Sequence, residues 1–303
     1  MKILVIGGLG CVGTPLVNEL RKRKHNVWVA DKPHDHDQNY IRCDISKYRQ
    51  VEKLFEQDFD YVYSLGAEFG RYNGEDFYET LWESNVIGMK NIIRLQEKKM
   101  FKMIFTSSSE VYGDYKGEMS ENVLMEYPIR QLNDYAISKW ANEQQIMNSC
   151  DRHETETVRI RLFNTYGPGE YYSSYRSVIC LFVYRALNDL PYTVYLDHHR
   201  TSTYIDDTVR TMANIIDNFK SGEVYNISGD EYHDIASLSN MILEELGKDD
   251  SKVKYLKIEN HNTIDKKGNN EKAKKDLKHV ATVNLRGGII KTIDWQKTEY
   301  MIK

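Results

Sequence analysis

Met1-Lys-Ile-Leu-Val-Ile-Gly7-Gly-Leu-Gly10-Cys-Val-Gly13 opens the chain, and its reading decides the fold. Lys2–Ile6 is a short apolar run of β-branched character, which predicts a strand. Glycines recur at intervals of three, and an amphipathic stretch then closes on the basic cluster Arg21-Lys-Arg-Lys24. Cations suit a helix C-terminus, where the backbone dipole is negative. A second apolar run, Val27–Ala30, ends on Asp31. Strand, glycine turn, helix, strand and acid make a dinucleotide-binding βαβ unit.

Each part has a physical task. Gly7, Gly10 and Gly13, with Cys11 and Val12 between them, let a pyrophosphate approach backbone N–H groups at a positive helix end. Asp31 follows at about the twenty-residue distance where a carboxylate accepts both adenosine ribose hydroxyls. Charge-assisted bonds of that kind contribute about 1.5–3 kcal/mol each. The same charge repels the 2′-phosphate of NADP, so NAD is the expected cofactor; the adjacent Lys32 blurs that choice without reversing it.

The 303 residues suffice for one large α/β domain, or for a Rossmann domain plus a small lobe. A net charge of −4 gives no argument for nucleic acid or a membrane surface. Cys11, Cys43, Cys150 and Cys180 show neither CxxC nor a disulfide spacing, which predicts reduced thiols. No apolar stretch reaches membrane-spanning length, and the opening run is a strand, not a leader. A cytoplasmic location is expected.

Beyond Asp31, the alternating His34-Asp-His-Asp37 reads as a solvated loop, with no closed metal-ligand set. Tyr40–Ile45 predicts a strand. Its Asp44 and Ile45 suit the adenine amino group and ring face, or a helix cap before Lys47–Phe55; the two readings are compatible. Asp60–Leu65 is the next strand, and the small residues Gly66 and Ala67 after Leu65 let a cofactor lie against backbone. A helical pattern from Phe77 to Lys99 leads into the strand Lys102–Thr106. That strand ends in Ser107-Ser-Ser-Glu110-Val-Tyr-Gly113, beyond a strand C-terminus where open α/β sheets place their chemistry.

Tyr135 and Lys139 are four apart on the next helical pattern, Asn133 to Cys150, and so share a face. A tyrosine serving as base at neutral pH must lose about three pKa units, roughly 4 kcal/mol. A neighbouring ammonium, with the cationic ring of an oxidised nicotinamide, is the field expected to supply it.

These motifs, with Arg161-Leu-Phe-Asn164-Thr-Tyr-Gly-Pro168, occur in one order at suitable distances. The chain resembles the extended short-chain dehydrogenase/reductases, in the NAD-dependent epimerase/dehydratase group acting on nucleotide sugars. The resemblance covers nearly the whole chain. It implies a Rossmann-type doubly wound parallel sheet over residues 1–165 and a smaller sugar-nucleotide lobe over 166–303, with segments around 200–235 returning to the first domain. It further implies that Ser108 orients the reacting hydroxyl, Tyr135 takes the proton from sugar O4 as hydride leaves C4, and Lys139 holds the nicotinamide ribose. Asn85 is placed near the cofactor. Ser108, Ser109, Asn164, Arg176 and Arg200 are placed at the substrate, the last through a guanidinium fork suited to diphosphate. The tyrosines of Gly169–Arg176 stack on a base or sugar, or pack on their own lobe. His198-His199 reads as loop, not metal. A homodimer through Phe77–Lys99 and Asn133–Cys150 is also implied.

The sequence departs from this pattern at specific places. Glucose 4,6-dehydratases of the group carry Asp-Glu after the catalytic Ser/Thr, whereas here Ser109-Glu110 stands. Glu110 is a candidate base at C5 once C4 is a ketone. It equally fits a backbone hydrogen bond. Decarboxylases carry arginine after Gly-Pro, and Gly169 stands there. No obvious counterpart of a late phosphate-binding arginine occurs between Lys252 and Asn270. Oxidation at C4 followed by 4,6-dehydration is the leading expectation. C4 epimerisation and net C4 dehydrogenation are its rivals, and an NAD-binding sensor without turnover is the non-enzymatic alternative.

Overall fold

The computed structural model describes residues 1–257, 259 and 262–302. Seven parallel strands form one sheet in the order Val224–Ile227, Thr157–Leu162, Lys102–Ser108, Tyr61–Ser64, Lys2–Ile6, Asn26–Asp31, Tyr40–Arg42. The direction of winding reverses beside Lys2–Ile6, which creates the crevice where doubly wound sheets take their ligands.

Period-two alternation explains the two faces. Ile3 and Val5 point to one side and pack with Leu16 and Leu20 of helix Gly13–Lys22. Leu4 and Ile6 point to the other, against Ile92 and Ile93 of helix Gly88–Lys99. Both faces are covered, so the strand reads as a continuous apolar run. On the first face the Tyr63 hydroxyl donates to Met212 O at 2.9 Å, tying the sheet to helix Ile205–Asn214.

A smaller four-stranded sheet runs in the order Tyr232–Asp234, His199–Thr201, Asp265–Gly268, Glu118–Met119, the last strand coming from the first half of the chain. The lysine-rich connection before Asn270 thus contains a strand that its polar composition hid.

Two expected elements differ. The helix read from Phe77 to Lys99 is instead broken into Tyr78–Trp82, a wide π-turn at Glu83–Ile87, and Gly88–Lys99. Gly88 lies so close to Ile45 that a Cβ there would meet Ile45 Cγ1 at 2.7 Å. Asp44 does not cap the following helix, Tyr48–Leu54, whose N-cap is Lys47; its carboxylate accepts from Ser46 N at 3.0 Å. The C-terminal helix spans Leu285–Glu299.

Candidate active site

A cavity of about 690 Å³ runs along the C-terminal edge of the sheet into the smaller lobe. Gly7, Gly10, Cys11, Val12, Gly13, Asp31, Lys32, Asp44, Ile45, Leu65, Gly66 and Ala67 line it, as do Ser108, Ser109, Glu110, Tyr135, Lys139, Asn164, Arg176 and Arg200. Asn85 lies behind the wall. Its amide accepts from Glu68 N at 2.8 Å, and donates to Glu68 O at 3.0 Å and to Ser138 Oγ at 3.1 Å.

The glycine turn is closed on its own backbone. A Cβ on Gly13 would stand 2.1 Å from Gly7 O, and Gly7 itself has φ +80°. Side chains are excluded there by contact as well as by conformation. Asp31 accepts from Leu9 N at 3.0 Å and Lys32 N at 2.7 Å, which fixes its carboxylate beside the turn. Lys32 pairs with Glu68 at 2.8 Å. That pairing neutralises the one cation that weakened the preference for NAD over NADP.

Several buried side-chain atoms in this wall have no hydrogen-bond partner among the described residues: Arg71 Nη1, Thr106 Oγ1, Glu110 Oε2, Arg176 Nε, His198 Nε2 and Asn262 Oδ1. Buried polar groups are normally satisfied, so a cavity so bordered fits a polar ligand. The glycine cradle, the fixed acid and these unpaired atoms fit a dinucleotide and a second polar molecule.

Ser108 ends its strand and caps the short 3₁₀ turn Ser109–Tyr112, accepting from Glu110 N at 3.2 Å. Its side chain also lies close enough to the Tyr135 phenol to oppose the upward shift of that group. Lys139 lies one turn along the helix Asp134–His153, with Nζ 5.8 Å from the centre of the Tyr135 ring and donating to Thr106 O at 2.8 Å. The expected depression of the phenol is absent in the protein alone. Burial pushes Tyr135 well above the ordinary range, against the Ser108 side chain, and the Glu110 charge adds to it. Desolvation therefore outweighs the Ser108 contribution, and positive charge beside the phenol is needed to ionise it.

Burial lowers Lys139 to about 8, with Glu143 opposing. Below that pH both folded and unfolded chains hold the proton, and the native state bears the full penalty. Between about 8 and 10.5 only the unfolded chain holds it, so native stability rises with pH. Lys139→Met is therefore expected to stabilise the fold at pH 7 by roughly 1–3 kcal/mol, net of the lost hydrogen bond. The gain should shrink above pH 8 and vanish above about 10.5, which thermal melts across pH will check.

Glu110 has an unexpected setting. Lys266, from strand Asp265–Gly268, bonds Glu110 Oε1, and Arg71 and Arg200 add positive charge. Burial would raise this carboxyl, but the Lys266 and Arg71 charges prevail and hold it well below the usual range. Arg200 is anchored by donating to His199 O at 2.8 Å and Ile264 O at 2.6 Å. Arg71 pairs with Glu259 at 2.8 Å. Lys266 and Arg71 escaped the sequence reading. Lys266 lies 156 positions from Glu110 inside a lysine-rich stretch, and only its place in the strand distinguishes it.

The tyrosine-rich loop divides its roles. Tyr172 stacks on Tyr184 with centroids 3.7 Å apart, and Tyr171 meets Trp295 edge-on. Tyr175 lines the cavity and donates to Asp76 at 3.0 Å. Arg176 lies over Phe69, 3.9 Å from the ring centre. Asn164 adopts φ +39°, which asparagine tolerates, beside Thr203. Among the described residues, no cluster of three or more His, Cys, Asp or Glu is arranged for a metal. None of their helices is long and apolar enough to cross a membrane.

Residues 3–228 match the model of the NAD dependent epimerase/dehydratase family. The chain belongs to that family. It is an NAD-dependent enzyme acting on nucleotide sugars. It is 28% identical to a UDP-N-acetyl-alpha-D-glucosaminuronate decarboxylase of Bacillus cytotoxicus, over 97% of each chain. It is also 28% identical to UDP-glucuronic acid decarboxylase 6 of Arabidopsis thaliana, over 95% of this chain and 87% of that one. Among solved structures, Pal from Bacillus thuringiensis superposes with a TM-score of 0.89 at 28% identity, covering 99% of this chain and 100% of the other.

Proposed function

We propose that this enzyme oxidises C4 of a UDP-linked uronic acid and releases the C6 carboxylate as carbon dioxide from the 4-keto acid. The observation that carries the proposal is the Glu110 carboxylate among Lys266, Arg71 and Arg200. Dehydration asks Glu110 to take a proton from C5 or give one to a departing hydroxide. A carboxylate held so far below its ordinary range is a poor base and has no proton to give. The surrounding excess of positive charge instead suits an anionic C6 substituent. The two decarboxylases that the chain resembles over most of its length support the same reading. Gly169 stands where decarboxylases carry arginine, but Arg71 and Arg176 bring guanidinium groups to the cavity from elsewhere.

Bound NAD supplies the reversible two-electron acceptor for C4. Tyr135, held by Ser108, exchanges the O4 proton, and Lys139 contributes its charge beside the phenol. Arg200 and Arg71 hold anionic oxygens. Once C4 is a ketone, the C5–C6 bonding pair moves toward the carbonyl as carbon dioxide leaves, and C5 must gain a proton. Lys266, its ammonium made more acidic by burial, is the donor in this scheme. Tyr135 would return the proton to O4 at the end, since the NAD held by the glycine turn and Asp31 would supply a reversible two-electron exchange. A homodimer through Phe77–Lys99 and Asn133–Cys150 belongs to the proposal, supported by the exposed Ile87 of the π-turn and Ile137 of helix Asp134–His153.

With UDP-glucuronate in D₂O, the expected product has lost carbon dioxide and carries one deuterium at C5. Unchanged mass with altered couplings at C4 would replace decarboxylation by epimerisation. A mass lower by two hydrogens would mean net dehydrogenation, and loss of water from UDP-glucose would restore dehydration.

A further inference from the structure

We propose that His198 selects the nucleobase by accepting a hydrogen bond from a ring N–H, so that the site takes uracil and refuses cytosine. The inference rests on the nucleotide-sugar reading above and specifies its base.

His198 is only 2 % exposed, yet its ring forms part of the cavity wall. Its Nδ1 lies 2.7 Å from Leu196 O. A carbonyl can only accept, so Nδ1 carries the hydrogen and Nε2 keeps its lone pair in the neutral ring. Nε2 is buried and has no hydrogen-bond partner among the described residues. The bare acceptor therefore calls for a donor brought by a ligand.

The surrounding wall says what kind of donor. Val178, Phe182, Tyr192 and Tyr195 line the same cavity, giving apolar and aromatic surface for a flat ring. The Tyr195 ring lies 5.9 Å from that of His198. Arg200, two residues further on, lines the same cavity and feels the Glu110 charge, whereas the ring that His198 meets is that of Tyr195. The unpaired atoms of Arg71, Arg176 and Glu110 belong to charged groups. His198 Nε2 is a neutral ring lone pair, matched to a neutral N–H. Uracil presents N3–H between two carbonyls, whereas cytosine presents a lone pair at N3. Two lone pairs face one another in the second case.

The test is calorimetric titration of the NAD-loaded protein with UDP, CDP and N3-methyl-UDP. Wild type should bind UDP about tenfold or more tightly than either of the others, the ratio expected for one hydrogen bond. His198→Phe should weaken UDP by about tenfold and leave CDP nearly unchanged, with retained NAD binding showing that the variant is folded. Equal weakening of UDP and CDP would overturn the proposal, because packing or a ribose hydroxyl then accounts for the ring. Equal binding of UDP and N3-methyl-UDP by wild type would overturn it without any substitution. Turnover of UDP-glucuronate is read separately. Its failure beside an intact base preference refutes the decarboxylase reading alone, and its success beside a lost preference refutes His198 alone.

Discussion

Tyr135→Phe should lower turnover of the UDP-sugar substrate by about 10²–10⁴-fold, the usual contribution of a positioned acid–base group. NAD affinity should change by less than about twofold, since the glycine turn and Asp31 are untouched. The substitution removes one oxygen and keeps the buried ring that Lys139 faces at 5.8 Å. It also leaves the Ser108 hydroxyl accepting from Glu110 N, so the 3₁₀ turn keeps its cap. The phenol lies well above its ordinary range in the protein alone, and burial is the leading cause. Its proton should therefore leave readily only with the oxidised, cationic cofactor nearby. A rapid-quench measurement of C4 oxidation, paired with fluorescence titration of NAD, checks both halves. Turnover near wild type would remove Tyr135 from the chemistry, whatever its position.

The second large effect concerns stability. Arg161 and Glu143 form a bidentate pair beneath the site, at 3.0 and 2.8 Å, with side chains 2 % and 0 % exposed. Arg161 also donates to the Tyr112 hydroxyl at 2.9 Å and to Glu121 O at 2.9 Å. Ser107 donates to Glu143 at 2.6 Å. Glu143→Leu leaves a guanidinium buried without its counter-ion, and such losses cost about 3–5 kcal/mol. Denaturant unfolding should show that decrease. The double variant with Arg161→Leu should recover part of it, because the stranded charge is then gone. If the single variant unfolds like wild type, water must reach Arg161 and the pair is not the structural tie described.

The first βαβ unit was legible because its physics is local: a glycine that cannot bear a side chain shows itself within a few residues. Tyr135 and Lys139 were legible as a pair through helical spacing. The electrostatics between them was not, since burial is a tertiary quantity and it reversed the expected direction for the phenol. Arg161 opened a motif that the sequence did show, but nothing there marked its pairing with Glu143, which lies on a helix face 18 positions away. Lys266 was invisible for a related reason. A lysine among lysines is ordinary composition until strand pairing carries it to Glu110. The π-turn at Glu83–Ile87 interrupts a pattern that otherwise reads as one helix, and periodicity alone does not mark the break.

That wide turn fastens distant parts of the molecule through one carboxamide. Asn85 serves both the N–H and the C=O of Glu68, and the same amide nitrogen reaches Ser138 in the helix bearing Tyr135. Only a side chain with donor and acceptor side by side can serve both, since aspartate would set two acceptors against a carbonyl. The loop that pairs with Lys32 near the adenosine end and the helix that presents the phenol are therefore held in register, and neither can slide without breaking the other's anchor.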